Sequence, residues 1–188
     1  MSDHPTSAYD LLRAADHRRM RWLNNGGWTT EIIAWPDPDH WDWRVSVADI
    51  EQSGAFSVLP NVDRTIALLQ GNGFTLTTPN QPTTTINRPH KPFEFRGDEP
   101  TDATLVDGPV EDLNLMVRRS SAPRRLRFVE VVGTVELTDV ELAVVLVGGL
   151  RLDGHHLARL DAIRAIGGAI TLHVTAANQE PTTLAVVA

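Results

Sequence analysis

Apolar residues along this chain alternate with polar ones over short stretches far more often than they recur at three- and four-residue spacing, and that pattern predicts strands. Thr29 to Trp35 is β-branched and apolar. Trp43-Arg44-Val45-Ser46-Val47-Ala48-Asp49 alternates strictly, with Trp43, Val45, Val47 and Asp49 on one face and Arg44, Ser46 and Ala48 on the other. Thr65 to Leu69 reads as a buried strand, and Gly71-Asn72-Gly73 predicts a hairpin turn into Phe74-Thr75-Leu76-Thr77. The Thr- and Pro-rich stretch Thr77 to Pro89 reads as an exposed hairpin or loop. Further strands are expected at Pro92 to Phe95, Ala103 to Val106, Leu113 to Val117 and Leu126 to Val132. Glu141 to Val147, Leu150 to Leu152, Ala169 to Val174 and Thr183 to Val187 complete the set. Helix is expected only at Tyr9 to His17, with Ser7 or Asp10 as a cap, and around His155 to Leu160. Short strands divided by Gly and Pro turns predict an all-β sandwich or barrel.

An approximate repeat sharpens this expectation. Ala67-Leu68-Leu69-Gln70-Gly71-Asn72-Gly73-Phe74-Thr75-Leu76 resembles Val144-Val145-Leu146-Val147-Gly148-Gly149-Leu150-Arg151-Leu152. Each is a buried strand, a Gly-containing turn and a second strand, and each is followed by an apolar strand, Pro92 to Phe95 or Arg159 to Ile163. Two related β-barrels in one chain account for it. A length of 188 residues suits one large domain or two joined lobes, here about 20–119 and 120–188, with strands exchanged between them allowed.

Charge narrows the partners. Seventeen basic against twenty-four acidic residues leave a net charge of −7, which argues against nucleic-acid binding through phosphates. Every cation but Lys91 is Arg, the side chain suited to carboxylate recognition. With no cysteine, disulfides, thiolate metal sites and a Cys nucleophile are excluded. No apolar run reaches membrane-spanning length, and Met1-Ser2-Asp3-His4-Pro5 lacks the form of a secretory signal, so a soluble cytoplasmic protein is expected.

Candidate chemistry gathers in the amino-terminal half. All five Trp residues fall between Trp22 and Trp43 and read as packing. Within Trp22-Leu23-Asn24-Asn25-Gly26-Gly27-Trp28-Thr29-Thr30-Glu31 the Gly pair permits a close backbone approach or a positive φ, and Asn24, Thr29 and Glu31 add polar atoms beside it. No phosphate loop or Gly-x-Ser-x-Gly elbow occurs. Arg44 and Ser46 share a strand face, and Asp63-Arg64 precedes a buried strand. Buried guanidiniums need carboxylates, from Asp63, Glu31, Asp112 or a ligand. Asp112, Asn114 and Met116 alternate onto one face and Arg118 extends the row, which suits a polar pocket floor or a seam between lobes. His4, His17, His40 and His90 are isolated, His155-His156 diverge as strand neighbours, and His173 stands alone, so no metal is expected. Arg118, Arg119, Arg124, Arg125 and Arg127 form a basic run that reads as a solvated or interface face.

The segment Trp22 to Glu31 resembles the Trp-Lys-Asn-Gly-Gly-Gly-x-Thr-x-Glu stretch of the HutD/Ves family. The likeness continues through Trp43-Arg44-Val45-Ser46-Val47-Ala48, Gly54-Ala55-Phe56-Ser57, Pro60-Asn61-Val62-Asp63-Arg64 and Leu68-Leu69-Gln70-Gly71-Asn72-Gly73. Pro92-Phe93-Glu94-Phe95-Arg96-Gly97-Asp98 and Asp112-Leu113-Asn114-Leu115-Met116 complete it. Leu23 stands where the family has Lys, and Asn25 where it has a glycine. The resemblance implies a bicupin without metal-ligating histidines or another cofactor, associated with histidine utilisation as a modulator rather than a catalyst. It implies a small carboxylate ligand such as formylglutamate or urocanate.

Combined with the residue reading, Arg44 and Arg64 are expected to receive the carboxylate, with Asn24, Thr29, Ser46 and Asn114 as hydrogen-bond partners. Glu31 and Asp63 are expected to orient the guanidiniums. The alternative is a metal-independent isomerase or hydrolase of a small carboxylate with Glu31 or Asp63 as general base. Exposed strands also allow pairing of two copies into a homodimer, although no residue demands it.

Overall fold

β-Branched and aromatic side chains fill the strands of this chain, and Gly, Pro, Asn and Asp fill its turns, as pleated, half-buried ribbons require. The structure, a computed structural model, describes residues 7–178 and 180–188; His4 and the amino-terminal stretch read for a signal lie outside the described residues. In chain order the first eleven strands are β1 (Tyr9–Leu12), β2 (Arg18–Arg21), β3 (Gly27–Trp35), β4 (Trp43–Ile50), β5 (Gly54–Ala55), β6 (Val62–Gln70), β7 (Phe74–Thr78), β8 (Gln81–Ile86), β9 (Phe93–Arg96), β10 (Asp102–Leu105) and β11 (Val110–Arg118). The rest are β12 (Leu126–Val131), β13 (Thr134–Val140), β14 (Leu142–Val147), β15 (Leu150–Leu152), β16 (His155–Leu157), β17 (Ala162–Ala165), β18 (Ile170–Ala176) and β19 (Thr182–Val187). No described helix is long and apolar enough to cross a membrane.

The strands divide between two units. Arg18–Pro123 holds a six-stranded sheet, β2-β3-β4-β11-β6-β9, and a four-stranded sheet, β5-β10-β7-β8. The described residues up to His17, together with Arg124–Ala188, hold a five-stranded sheet, β1-β17-β14-β19-β12, and a four-stranded sheet, β13-β18-β15-β16. The orders coincide: β4-β11-β6-β9 corresponds to β12-β19-β14-β17, and β5-β10-β7-β8 to β13-β18-β15-β16. The sequence repeat is the trace of that shared topology. In each unit the two sheets supply a common apolar core and remain separate layers. Ile50, Ile66, Leu68, Phe74, Leu76 and Phe95 lie in one core, and Val131, Val145, Leu150, Leu172, Leu184 and Val186 in the other.

Three local expectations are corrected. Tyr9 to His17 is not a helix: Tyr9–Leu12 is a strand paired antiparallel with β17, Tyr9 opposite Ala165, and only Ala14–Asp16 forms a 3-10 turn. The stretch around His155 is also a strand, paired with β15. At Tyr9 the ladder hydrogen bonds to a distant strand, and at His155 those to the adjacent strand of a tight hairpin, outweigh a weak local helix preference. Gly71-Asn72-Gly73 closes no hairpin, because β6 and β7 belong to different sheets, and the Gly148-Gly149 turn likewise carries the chain from one sheet to the other. Gly73 has φ +95, and a Cβ there would stand 2.3 Å from the Ile86 carbonyl oxygen, so the crossing runs too close to β8 for any side chain. The Thr-rich stretch does form a hairpin, β7 with β8.

Candidate functional site

A cavity of about 460 Å³ opens in the Arg18–Pro123 unit, walled by the inner face of its larger sheet. Strand alternation builds that wall. Thr29 comes from β3, Arg44, Ser46 and Ala48 from β4, Asp112, Asn114 and Met116 from β11, and Arg64 from β6. In the ladder Met116 lies opposite Arg44 on one side and Arg64 on the other. The two arginines therefore leave the sheet from positions two strand spacings, ~10 Å, apart. Trp22, Leu23 and Asn24 come from the β2–β3 turn, and Ala55, Phe56, Ser57 and Leu59, at and after the end of β5, complete the lining. Of the residues singled out from the sequence, Asn24, Thr29, Arg44, Ser46, Arg64 and Asn114 are brought together here.

The two guanidiniums differ in their surroundings. Arg44 Nε lies 2.8 Å from Glu31 Oε2, both side chains half-buried. A β-bulge between Glu31 and Ile33 places Glu31 opposite Ser46 while Ala34 faces Arg44, which brings the acid within reach of the Arg44 side chain. Arg64 is 6% exposed and packs against aromatic faces, its guanidinium carbon 4.8 Å from the Phe56 ring centre and 4.9 Å from that of Phe95. Its Nη2 donates to Asn114 Oδ1 at 2.6 Å, and Asn114 Nδ2 in turn donates to Asp112 Oδ1. Arg64 Nε has no hydrogen-bond partner among the described residues, nor has Asp112 Oδ2. Burial pushes the Asp112 carboxyl up to about 8, against the opposing pull of Arg64. Burial lowers Arg64 to about 10, which leaves it charged at neutral pH. At pH 7, then, Glu31 offsets Arg44 while Arg64 faces a neutral acid, and the cavity wall holds one uncompensated positive charge.

Other expectations need correction. Asp63 does not orient Arg64 and does not line the cavity; 59% exposed, it binds Arg119 Nε at 2.7 Å. Arg119 also grips both oxygens of Asp98, at 2.8 and 2.9 Å, and this holds Asp98 down at about 2. Asp63 misses because neighbours on a strand point to opposite faces. Arg118 leaves the polar row, because its Nε donates to the Trp41 carbonyl at 2.6 Å and its guanidinium stacks on the Trp41 ring. The arginine run is committed locally as well, Arg124 to Glu141 at 2.8 Å and Arg127 to the Thr138 carbonyl at 2.7 Å. In the Gly pair neither residue takes a positive φ; Asn25 does, at 56°. Gly27 has the close approach, since a Cβ there would stand 2.3 Å from the Asp49 carbonyl oxygen. Trp22 Nε1 donates to Thr29 Oγ1 at 2.8 Å and Asn24 Oδ1 accepts from the Gly26 N–H at 2.9 Å, which sets the loop beside the cavity.

The sequence put Asp112 in the row suited to a polar pocket floor and among the partners for arginine, but not among the ligand-binding residues, and Phe56 was missed as a site residue. The alternation through Asn114 marks Asp112; Phe56 lies in an irregular segment with no periodic signal. His155, His156 and His173 line a groove with Arg151 and Asp153, yet among the described residues no three metal-ligating side chains are grouped.

The class defined by this architecture is an all-β, cupin-like protein with a polar cavity in one unit. Oxalate decarboxylase from Lactobacillus farciminis shares the fold at a TM-score of 0.71 over 98% of this chain and 87% of that one, with 12% identity. The chain belongs to the HutD family, whose profile matches residues 14–184. HutD from Pseudomonas fluorescens SBW25 is 29% identical, with a TM-score of 0.76 over 96% of this chain and 98% of that one. An uncharacterised 21.2 kDa protein in the hutC 3′ region of Pseudomonas putida is 40% identical over 64% of this chain. The match spans 62% of that relative's length. Protein Ves from Cronobacter sakazakii is 35% identical over 70% of this chain and 73% of its own.

Proposed function

We propose that this chain is a metal-independent, bicupin-like protein that binds a small carboxylate metabolite and modulates histidine utilisation. The observation that carries the reading is Arg64: a guanidinium 6% exposed, at a cavity wall, with a neutral amide for a partner and an Nε that has no hydrogen-bond partner among the described residues. A buried cation is costly unless an anion compensates it, and a ligand carboxylate supplies two acceptor oxygens and the charge. Arg44, Ser46, Asn24, Thr29 and Asn114 lie within the same cavity and complete the polar lining. Membership of the HutD family and the hutC-adjacent relative support the link to histidine breakdown, and make formylglutamate and urocanate the carboxylates to test. Of the bases that the catalytic alternative expects, Asp63 faces away beside Arg119, while Glu31 is ion-paired with Arg44.

Calorimetry with formylglutamate, urocanate and glutamate tests the reading. The wild type is expected to bind at least one of them. Arg64→Ala should lose about 2–5 kcal/mol of affinity, with its fold checked by circular dichroism. Absence of binding by the wild type overturns the proposal.

A further inference from the structure

Asp112 plays no part in that reading, yet it is the most enclosed polar group at the cavity, with 0% of its surface exposed. One of its oxygens accepts from Asn114 and the other has no hydrogen-bond partner among the described residues. Asn114 uses its remaining end on Arg64, so a single amide joins the acid to the cation. The charged groups around Asp112 are Arg64 from β6, Asp49 from β4 and Glu111 on its own strand. Arg44 lies further along β4 and is offset by Glu31 from β3; the lining segment, residues 55–59, carries no charge. A carboxyl so enclosed, with two acids nearby and its one cation held off by an amide, keeps its proton at neutral pH.

We propose that the Asp112 carboxyl and the ligand carboxylate compete for the charge of Arg64, so that the cavity takes up an anion while Asp112 is protonated and releases it as Asp112 ionises. This rests on the carboxylate reading of the same cavity. Asp112 is a positioning residue that acts through Asn114 and Arg64 and need not touch the ligand. The proton balance is simple. Below the Asp112 midpoint the anion binds with no change in protonation; above it, each anion that enters returns one proton from solvent to Asp112. Affinity is therefore flat around neutrality and falls toward tenfold per pH unit in alkali. One uncompensated charge at the wall accommodates one carboxylate group of the ligand.

The test uses the intact protein and formylglutamate, which has no group titrating across the neutral to alkaline range. Carbon-13 NMR of aspartate carboxyls without ligand should show one resonance with a midpoint above neutrality that disappears in Asp112→Asn. Calorimetry in two buffers of different protonation enthalpy should show wild-type affinity falling at least tenfold between about pH 8 and 9.5, with uptake approaching one proton. Asp112→Asn, which cannot ionise, should keep whatever affinity it has at pH 7 unchanged in alkali and take up no proton. An Asp112 resonance titrating in the ordinary carboxylate range overturns the inference. So does wild-type binding that is independent of pH, or an alkaline loss that persists in Asp112→Asn; either leaves the carboxylate reading intact. Failure of wild type to bind any of the three carboxylates at any pH overturns that reading and this inference with it. If Asp112→Asn does not fold, the wild-type titration and proton uptake decide.

Discussion

Arg44 and Arg64 flank Met116 at matched positions in the ladder, and their neighbours give them different tasks. Arg44 is neutralised by Glu31 and contributes shape and donors, whereas Arg64 contributes charge. Asp112 decides how much of that charge is available, and its own titration should be visible in stability. Its carboxyl rises to about 8 in the folded chain from an ordinary 3.8. The unfolded chain therefore releases a proton that the folded chain retains, so the contribution of Asp112 is intact below about pH 4 and is lost as pH climbs to about 8. Urea unfolding at pH 4, 6 and 8 should show the wild type losing stability relative to Asp112→Asn across that window, with little further divergence above it. A constant gap between the two proteins would mean that Asp112 is ionised throughout.

Strands position these residues, and their spacing depends on Gly27. A methyl group there would stand 2.3 Å from the Asp49 carbonyl oxygen on the neighbouring strand, whereas at Gly26 it would meet only the Asn24 side chain, at 3.2 Å. Gly27→Ala must push β3 off β4 and should cost about 2 kcal/mol or more, while Gly26→Ala should cost far less. Thermal unfolding of the two variants measures the contrast, and equal shifts would refute the steric account. What the sequence conveys at this scale follows from how local each signal is. Period-two alternation is a property of consecutive residues, so β4 and β11 and the inward row of Arg44, Ser46, Asp112 and Asn114 were legible. A Gly turn looks the same whether it closes a hairpin or passes between sheets, and the choice after Gln70 is made by β11 and β9, which pair with β6 from far along the chain. The short strand at Tyr9 was illegible for the same reason, because its partner is β17.

One topology used twice provides an internal control for the site. Leu68 and Val145 stand equally far before their Gly turns; Asp112 pairs with Leu68 as Leu184 pairs with Val145. Asp112 and Leu184 are thus equivalent positions, and each is 0% exposed. In the Arg18–Pro123 unit the equivalent row continues with Asn114, whereas in the other unit it continues with Val186, inside an aliphatic core that holds Val145 and Leu172 as well. The shared architecture therefore does not require polar groups at these positions. A carboxyl persists in one unit because Asn114 donates to it and Arg64 attracts it, and neither group exists at the matching places in the other. Leu184→Asp puts the same side chain into the same backbone setting without those partners. It should cost about 4 kcal/mol or more, measured by urea unfolding at pH 7, because the acid has neither a donor nor a cation to offset its desolvation. A loss below about 1 kcal/mol would show that the fold tolerates a carboxyl at this position unaided. The polar row around Arg64 would then need no ligand to explain its presence.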